Sequence, residues 1–443
     1  MRAFPLRLPT ILALIGLLLA PAPALAQSAV LIRDTEIEHT LAAYAGPLLE
    51  AAGLPADGVE LYIIKDPRIN AFVTPGMRMF VHTGLLMRAE HPGQIAGVFA
   101  HEIGHIAGGH LTRIPDAVER ATLEMLASAV LGVAAAVAGA PGLGTAIIAG
   151  GQSYAGAGLS RFSIGQEQAA DQAAITYLGR AGISPRGLAE LLRILDNQSA
   201  LNVSRQSPYV QSHPLTRDRL QFVESRAAGR DRLEGIPEAW LDAHARMVAK
   251  FDAFLNEPRD VVRRFERDDS LPGRYARAIA LFRLADLARA LPEIDALIAE
   301  HPEDPYFHEL KGQMLFENGR VAEAVAPYRE AVRLLPDAAL LRIGLARALI
   351  ETGDAGGVRE AVGHLEDAVQ DEASNAGAWR LLGIARGRDG QEGGAAIALA
   401  ESALLTGKRD DARLYARRAE ARLDAGHPSW LRLQDILREL DDS

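Results

Sequence analysis

The stretch FAHEIGHIAGGH, from Phe99 to His110, sets three histidines and a glutamate close together. Within it, His101-Glu102-Ile103-Gly104-His105 forms the pattern HExxH. On a helix, positions i and i+4 stand one above the other, so two imidazoles so placed can share one metal ion. Glu102 lies about 100° round from His101, where its carboxylate can take a proton from a water beside that ion. Ile95, Val98, Phe99 and Ile106 give the helix an apolar, buried face. Burying two histidines and a glutamate among them is costly without a partner. The plainer alternative is a pair of core histidines satisfied by ordinary hydrogen bonds.

The third ligand decides the class of site. The spacing HExxHxxGxxH would need a histidine at 111, where Leu111 stands. His110 is one residue early and, on a continuous helix, about 180° from His101, so it is set aside as a ligand. His82 and His91 have no helical partner and read as surface or packing residues. Downstream, GQEQAADQAAITYLGRAG contains ExxAD, with Glu167 and Asp171 at i and i+4. Ala169, Ala170, Ala173 and Ala174 make that helix thin enough to pack against the first. Glu167 can complete a His2Glu site that leaves the fourth place to water, the arrangement of catalytic zinc. Asp171 can hold a ligand histidine by its other ring nitrogen. Glu119 and Glu124 are rival ligands that lack such a pairing, and a solvated acidic face is the bland reading of the ExxAD helix. SHPLTRDR, with His213-Pro214 and Arg219, is a weak signal by itself. The chain has no cysteine, so disulfides and thiolate ligands are excluded and any metal must sit on His, Glu or Asp.

These residues need elements to hold them. With 443 residues, two domains are expected. Aromatics are scarce at 5%, which favours close-packed helices over a β-sandwich. VELYII (Val59 to Ile64) reads as a buried strand, and NAFVTPGMRMFVH (Asn70 to His82) as two short strands around a turn at Pro75-Gly76. A helix begins near Pro92 and carries HExxH, with Pro115 to end or bend it. Residues 1–26 have the charged start (Arg2, Arg7), short apolar core and small-residue cleavage site of a secretory leader, so export to a bacterial periplasm is expected. Without Arg2 and Arg7 the formal charge goes from −10 to −12, which disfavours nucleic acid as a partner. Residues 125–160 carry no charge. Two readings stand: a tightly packed helical hairpin of small residues, or a flap giving peripheral contact with membrane or unfolded substrate.

The C-terminal part repeats. Ala324, Tyr328, Ala331 and Pro336 recur thirty-four residues earlier as Ala290, Ile294, Leu297 and Pro302. Trp379, Leu382 and Gly383, with Gly312 one copy earlier, fall where a tetratricopeptide repeat has its Trp, Leu and Gly. Ala395 with Leu399, and Ala361 with Leu365 and Ala368, extend the series to roughly four copies, with further helices from Pro237 onward. Small residues let paired helices touch, and stacked pairs bury one continuous core.

HEIGH, ExxAD some 60 residues later, the preceding NAFVTPG…VHTGLL and the HPxxxxR of His213 to Arg219 together resemble the HtpX- and BepA-type zinc metallopeptidases, a gluzincin family. The leader and the repeats resemble the periplasmic BepA branch in particular. The resemblance covers roughly Val59 to Arg219, and one departure is Met77 where relatives show a second glycine after TPG. It implies one zinc per chain on His101, His105 and Glu167, with Glu102 as catalytic base. It implies that Asp171 orients a ligand and that His213 and Arg219 lie close, His213 reaching the zinc and holding the enzyme latent. The rival role for His213 is donor to the oxyanion. Substrate is expected as an added strand along Asn70, Ala71, Phe72 and Val73. The expected architecture is a leader (1–26), an α+β zincin-like domain with a small sheet (27–230) and an all-α tetratricopeptide solenoid (231–443). The implied activity is hydrolysis of misfolded or stalled outer-membrane polypeptides, with the repeats binding outer-membrane assembly machinery. A chaperone or scaffold with a mostly closed site is the alternative.

Overall fold

The computed structural model describes residues 30–113, 125, 128, 149, 163–201, 207–424, 426 and 428–441. The leader, Glu119, Glu124 and nearly all of the uncharged run 125–160 lie outside the described residues. Among those described, no helix is long and apolar enough to cross a membrane.

The chain opens with β1 (Leu31–Ile32) and α1 (Thr35–Ala51), then β2 (Glu60–Ile64), β3 (Ala71–Thr74) and β4 (Arg78–His82). The sheet order is β1-β2-β4-β3, with β2 and β4 parallel and the two outer pairs antiparallel. β3 is therefore an edge strand. Its hairpin to β4 turns through Gly76 and Met77, both at positive φ (89° and 57°). Gly76 suits the turn as the sequence suggests, whereas Met77 holds a left-handed conformation that its side chain disfavours. Helices follow as α2 (Thr83–Arg88), α3 (Pro92–Ala107), α4 (163–180), α5 (Arg186–Leu201), α6 (Pro208–Ser212) and α7 (Arg217–Ala227).

The motif helix α3 is buried on all sides from Pro92 to His105, with β3, α1, α4 and α5 around it. Its glycines explain how neighbours come so close. A Cβ on Gly104 would lie 3.0 Å from the Ala170 carbonyl oxygen and 3.2 Å from the Ala173 Cβ, which places α4 directly against the HExxH turn. The helix ends sooner than expected. Gly108 and Gly109 form a turn, Gly109 at φ 62°, and residues 110–113 start a new helical segment. Glycine's freedom at positive φ, rather than Pro115, terminates α3.

Beyond α7 come α8 (Glu238–Leu255) and α9 (Pro258–Arg264), then four antiparallel pairs: α10 (Leu271–Arg283) with α11 (Leu287–Glu300), α12 (Pro305–Glu317) with α13 (Val321–Leu334), α14 (Ala339–Thr352) with α15 (Ala355–Asp371), and α16 (Ala376–Arg388) with α17 (Glu392–Leu405). Two last helices, α18 (Arg409–Glu420) and α19 (Trp430–Asp441), cover the end. The small and large repeat positions interlock: a Cβ on Gly312 would strike the Tyr328 ring, and one on Gly383 the Leu399 side chain. This is the expected layout, a small-sheet α+β domain followed by a helical solenoid.

Helix α8 belongs to both halves. Met247 and Phe251 are buried in the same core as Leu41, Tyr44 and Leu48 of α1, and Trp240 packs on Tyr44 with ring centroids 4.7 Å apart. Beside them Lys250 Nζ lies 2.7 Å from Asp34 and 3.1 Å from the buried Glu36. Arg246 and the Tyr275 hydroxyl also reach Glu36, at 2.7 and 2.9 Å. A chain stopped near Arg230 loses all three partners of Glu36 and uncovers Tyr44. Stripping partners from a buried charge costs about 3–5 kcal/mol. Such a truncation is expected to aggregate or lose fixed tertiary structure, and a chain ending after the first repeats to stay monodisperse. Size-exclusion chromatography with near-UV circular dichroism checks this, and a compact, monodisperse 27–230 fragment would contradict it.

Candidate metal centre

Three helices and one loop converge on a single point. α3 brings His101, Glu102 and His105, and α4 brings Glu167 and Asp171. The turn after α6 brings His213, and α7 brings Arg219. All seven side chains are buried. Helical spacing explains the first two sets, because i and i+4 share a face on both α3 and α4.

His101, His105, Glu167 and His213 each offer one ligand atom, and these atoms lie within 4.8 Å of one another. Glu167 Oε2 is 3.3 Å from His101 Nε2, and Oε1 is 3.3 Å from His105 Nε2 and 3.1 Å from His213 Nδ1. The far sides of the rings are held as well. His101 Nδ1 lies 3.0 Å from Asp171 Oδ1, and His105 Nδ1 lies 3.0 Å from His110 Nδ1. Arg219 binds Asp171 through Nε and Nη2 at 2.7 and 2.9 Å, and Nη1 reaches Glu167 Oε2 at 2.8 Å. Its Nη1 also donates to the Pro214 carbonyl at 2.9 Å, tying the His213 turn to the same guanidinium.

The electrostatics suit a cation at this point. Burial opposes a charge on His101, but the hydrogen bonds to Asp171 and Glu167 outweigh it and raise the imidazole to about 9. A proton thus sits where a metal ion would replace it. Burial pushes His105 down to about 3, which keeps it neutral as a ligand must be. Burial also opposes the charge on Glu167, yet the contacts from His101, His105 and His213 hold its carboxyl well below the usual range. Glu102 differs: burial pushes its carboxyl up, and neither oxygen has a hydrogen-bond partner among the described residues. Two neutralisable imidazoles, a low-pKa carboxylate and an adjacent unpartnered carboxylate fit one divalent ion and a base.

All of the residues singled out around HExxH, ExxAD and HPxxxxR come together here. Ala71 to Val73, preceded by Asn70, form edge strand β3, which packs beside α3. His82 and His91 are buried packing residues, His91 Nε2 binding Glu190 at 2.8 Å. Two further neighbours of the cluster carry no motif that marks them. His110 touches the outer nitrogen of His105, because the glycine break at 108–109 voids the continuous-helix angle. Tyr209, four residues before His213, stacks on its ring with centroids 4.6 Å apart and an interplanar angle of 29°. That i, i+4 spacing was the available signal.

Residues 32–227 match Peptidase family M48, and residues 275–339 match a tetratricopeptide repeat. The chain is similar to the beta-barrel assembly-enhancing protease of Yersinia pestis, 26% identical over 430 residues, 94% of this chain and 86% of that one. The protein of the same name from Escherichia coli (strain K12) is 25% identical over 423 residues, with the same coverage. Metalloprotease LoiP of that strain is 32% identical over 174 residues, 38% of this chain and 61% of its own length.

Proposed function

We propose that this chain, whose residues 32–227 match Peptidase family M48 and whose residues 275–339 match a tetratricopeptide repeat, is a zinc metalloendopeptidase of the bacterial periplasm that degrades misfolded or stalled outer-membrane proteins. The observation that carries this reading is the convergence of His101, His105 and Glu167 next to an unpartnered Glu102. Two imidazoles and one carboxylate form a zinc donor set, and the count is one ion per chain. When bound, zinc supplies Lewis acidity at the scissile carbonyl and lowers the pKa of water.

The chain's own residues do the rest. Asp171 fixes the His101 ring and His110 that of His105, so both Nε2 atoms face one point. Glu102, raised by burial, takes the proton of the attacking water and returns it to the leaving amine. An extended substrate pairs along the free edge of β3, from Asn70 to Val73. Pairing of that kind reads backbone, which suits unfolded chains of many sequences. The repeats supply a long surface for protein partners. The name of the Yersinia pestis and Escherichia coli relatives supports outer-membrane assembly machinery as that partner, and the leader read at 1–26 supports export. Chelator-sensitive cleavage of unfolded casein by the purified mature chain is the test, and cleavage that ignores chelator and added zinc counts against it.

One observation favours a second reading, a scaffold with a latent site. His213 Nε2 lies 3.5 Å from Glu102 Oε1, in the space a water in reach of Glu102 would need. If His213 is a latch, His213→Ala raises basal casein cleavage. If His213 instead donates to the oxyanion, the same change lowers the rate by about 100-fold or more. We expect a rise, and the sign of the change in an initial-rate assay decides.

A further inference from the structure

Beside the cluster, both carboxylate oxygens of Glu102 and the hydroxyl of Tyr209 are buried and have no hydrogen-bond partner among the described residues. His213 Nε2, at 3.5 Å from Glu102, falls short of a well-formed bond. A buried hydroxyl without a partner costs free energy that a phenylalanine of the same shape would not. Tyr209 is nonetheless held firmly. Its ring stacks on His213 and lies 6.4 Å, centroid to centroid, from His101. Its backbone N–H donates to Ser207 Oγ at 3.2 Å, and the same hydroxyl donates to the Ile69 carbonyl, just before the edge strand. The ring is thus fixed relative to both the ligand cluster and the strand on which substrate would lie.

The unpartnered atoms are complementary to one guest. A carboxylate accepts and a phenol donates. A hydrated peptide bond under attack presents a donor, the water, and an acceptor, the carbonyl oxygen. We propose that Tyr209 is a catalytic residue whose hydroxyl donates a hydrogen bond to the scissile carbonyl oxygen; the proposal rests on the peptidase reading above. In the addition step the water oxygen bonds to the carbonyl carbon, the carbonyl π pair moves onto its oxygen, and Glu102 takes the water proton. Tyr209 keeps its own proton and holds that oxygen by a hydrogen bond. On collapse the pair returns, the C–N bond breaks, and Glu102 passes its proton to the leaving nitrogen. With the donor supplied by Tyr209, His213 is free to act as the latch.

The test is Tyr209→Phe, which keeps the ring and removes only the hydroxyl, in the parent chain and in a His213→Ala background. A phosphinic pseudo-peptide, whose anionic oxygen mimics the oxyanion, is titrated into the zinc-loaded full-length protein by calorimetry. The expected result is a kcat lower by about 100-fold with KM nearly unchanged. Affinity for the phosphinic probe falls by a similar factor, while zinc content and Tm hold or Tm rises. Parental kcat and parental probe affinity in Tyr209→Phe overturn the proposal alone, and the hydroxyl is then satisfied by structural water. Absence of chelator-sensitive cleavage in every variant, His213→Ala included, overturns it together with the peptidase reading. A fall in zinc content matching the fall in rate also overturns it, since the ring's surroundings would then be purely structural.

Discussion

Glu102→Gln is expected to abolish casein cleavage almost completely while leaving one metal ion per chain. The loss should be on the order of 10²–10⁴-fold, the range in which a positioned general base contributes. The two halves of this expectation have separate causes. Glu102 is absent from the group of atoms able to hold one ion, so the amide removes no ligand. Both of its oxygens lack partners among the described residues in a fully buried place, so the amide breaks no hydrogen bond to them. Burial of an unpartnered carboxylate is costly, and a neutral isostere relieves it, so Tm should hold or rise. Metal analysis, thermal denaturation and an initial-rate assay on one preparation read all three. Turnover retained in Glu102→Gln would remove Glu102 from the mechanism. Loss of metal alongside loss of turnover would make it a ligand.

The ligand cluster was legible in the sequence because its information is local. HExxH and ExxAD are each one turn of one helix, and the 3.6-residue period alone puts their side chains on a common face. Alanines at 169, 170, 173 and 174 point to the face of α4 that meets the HExxH helix, and the Ala170 carbonyl does lie against Gly104. What failed was any inference that carried an angle through a glycine. His110 was placed 180° away on a helix that in fact breaks at Gly108-Gly109, and it ends beside His105. A residue with positive φ resets the direction of everything after it, and pattern reading does not see φ.

Long-range contacts were harder still. Arg219 lies 48 residues from Asp171, yet the pair is buried and doubly hydrogen-bonded. The HPxxxxR pattern flagged the residue through resemblance only, since no period links it to α4. Likewise nothing in the repeat period shows that α8 is shared. Met247 and Phe251 look like any apolar helix positions until α1 is placed against them. A solenoid's own contacts run between neighbouring repeats and are periodic, whereas its contact with another domain is made once and leaves no repeat in the sequence.

The second large effect is expected at Glu167. Glu167→Ala should lose the metal and all chelator-sensitive cleavage, because the carboxylate sits between the three histidines that surround it. Two remaining α3 imidazoles are one short of the three protein ligands a catalytic zinc site uses. The same change strips Arg219 Nη1 of a carboxylate at 2.8 Å, though the Asp171 pair persists. Some loss of stability is therefore expected as well, below the roughly 3–5 kcal/mol of breaking a buried pair outright. Asp171→Ala supplies the contrast. It leaves all ligand atoms in place, releases the His101 ring and frees two arms of Arg219. Metal affinity should then fall by about 10- to 100-fold, as for other partners that orient a ligand, while stability falls more than in Glu167→Ala. The two variants thus reverse order between the two measurements: Glu167→Ala is worse in competitive metal titration, Asp171→Ala worse in thermal or urea denaturation of the metal-free proteins. Parental metal affinity in Glu167→Ala would place the third ligand elsewhere, with His213 the first residue to examine. The same order in both measurements would mean that the metal loss follows from unfolding rather than from a missing ligand.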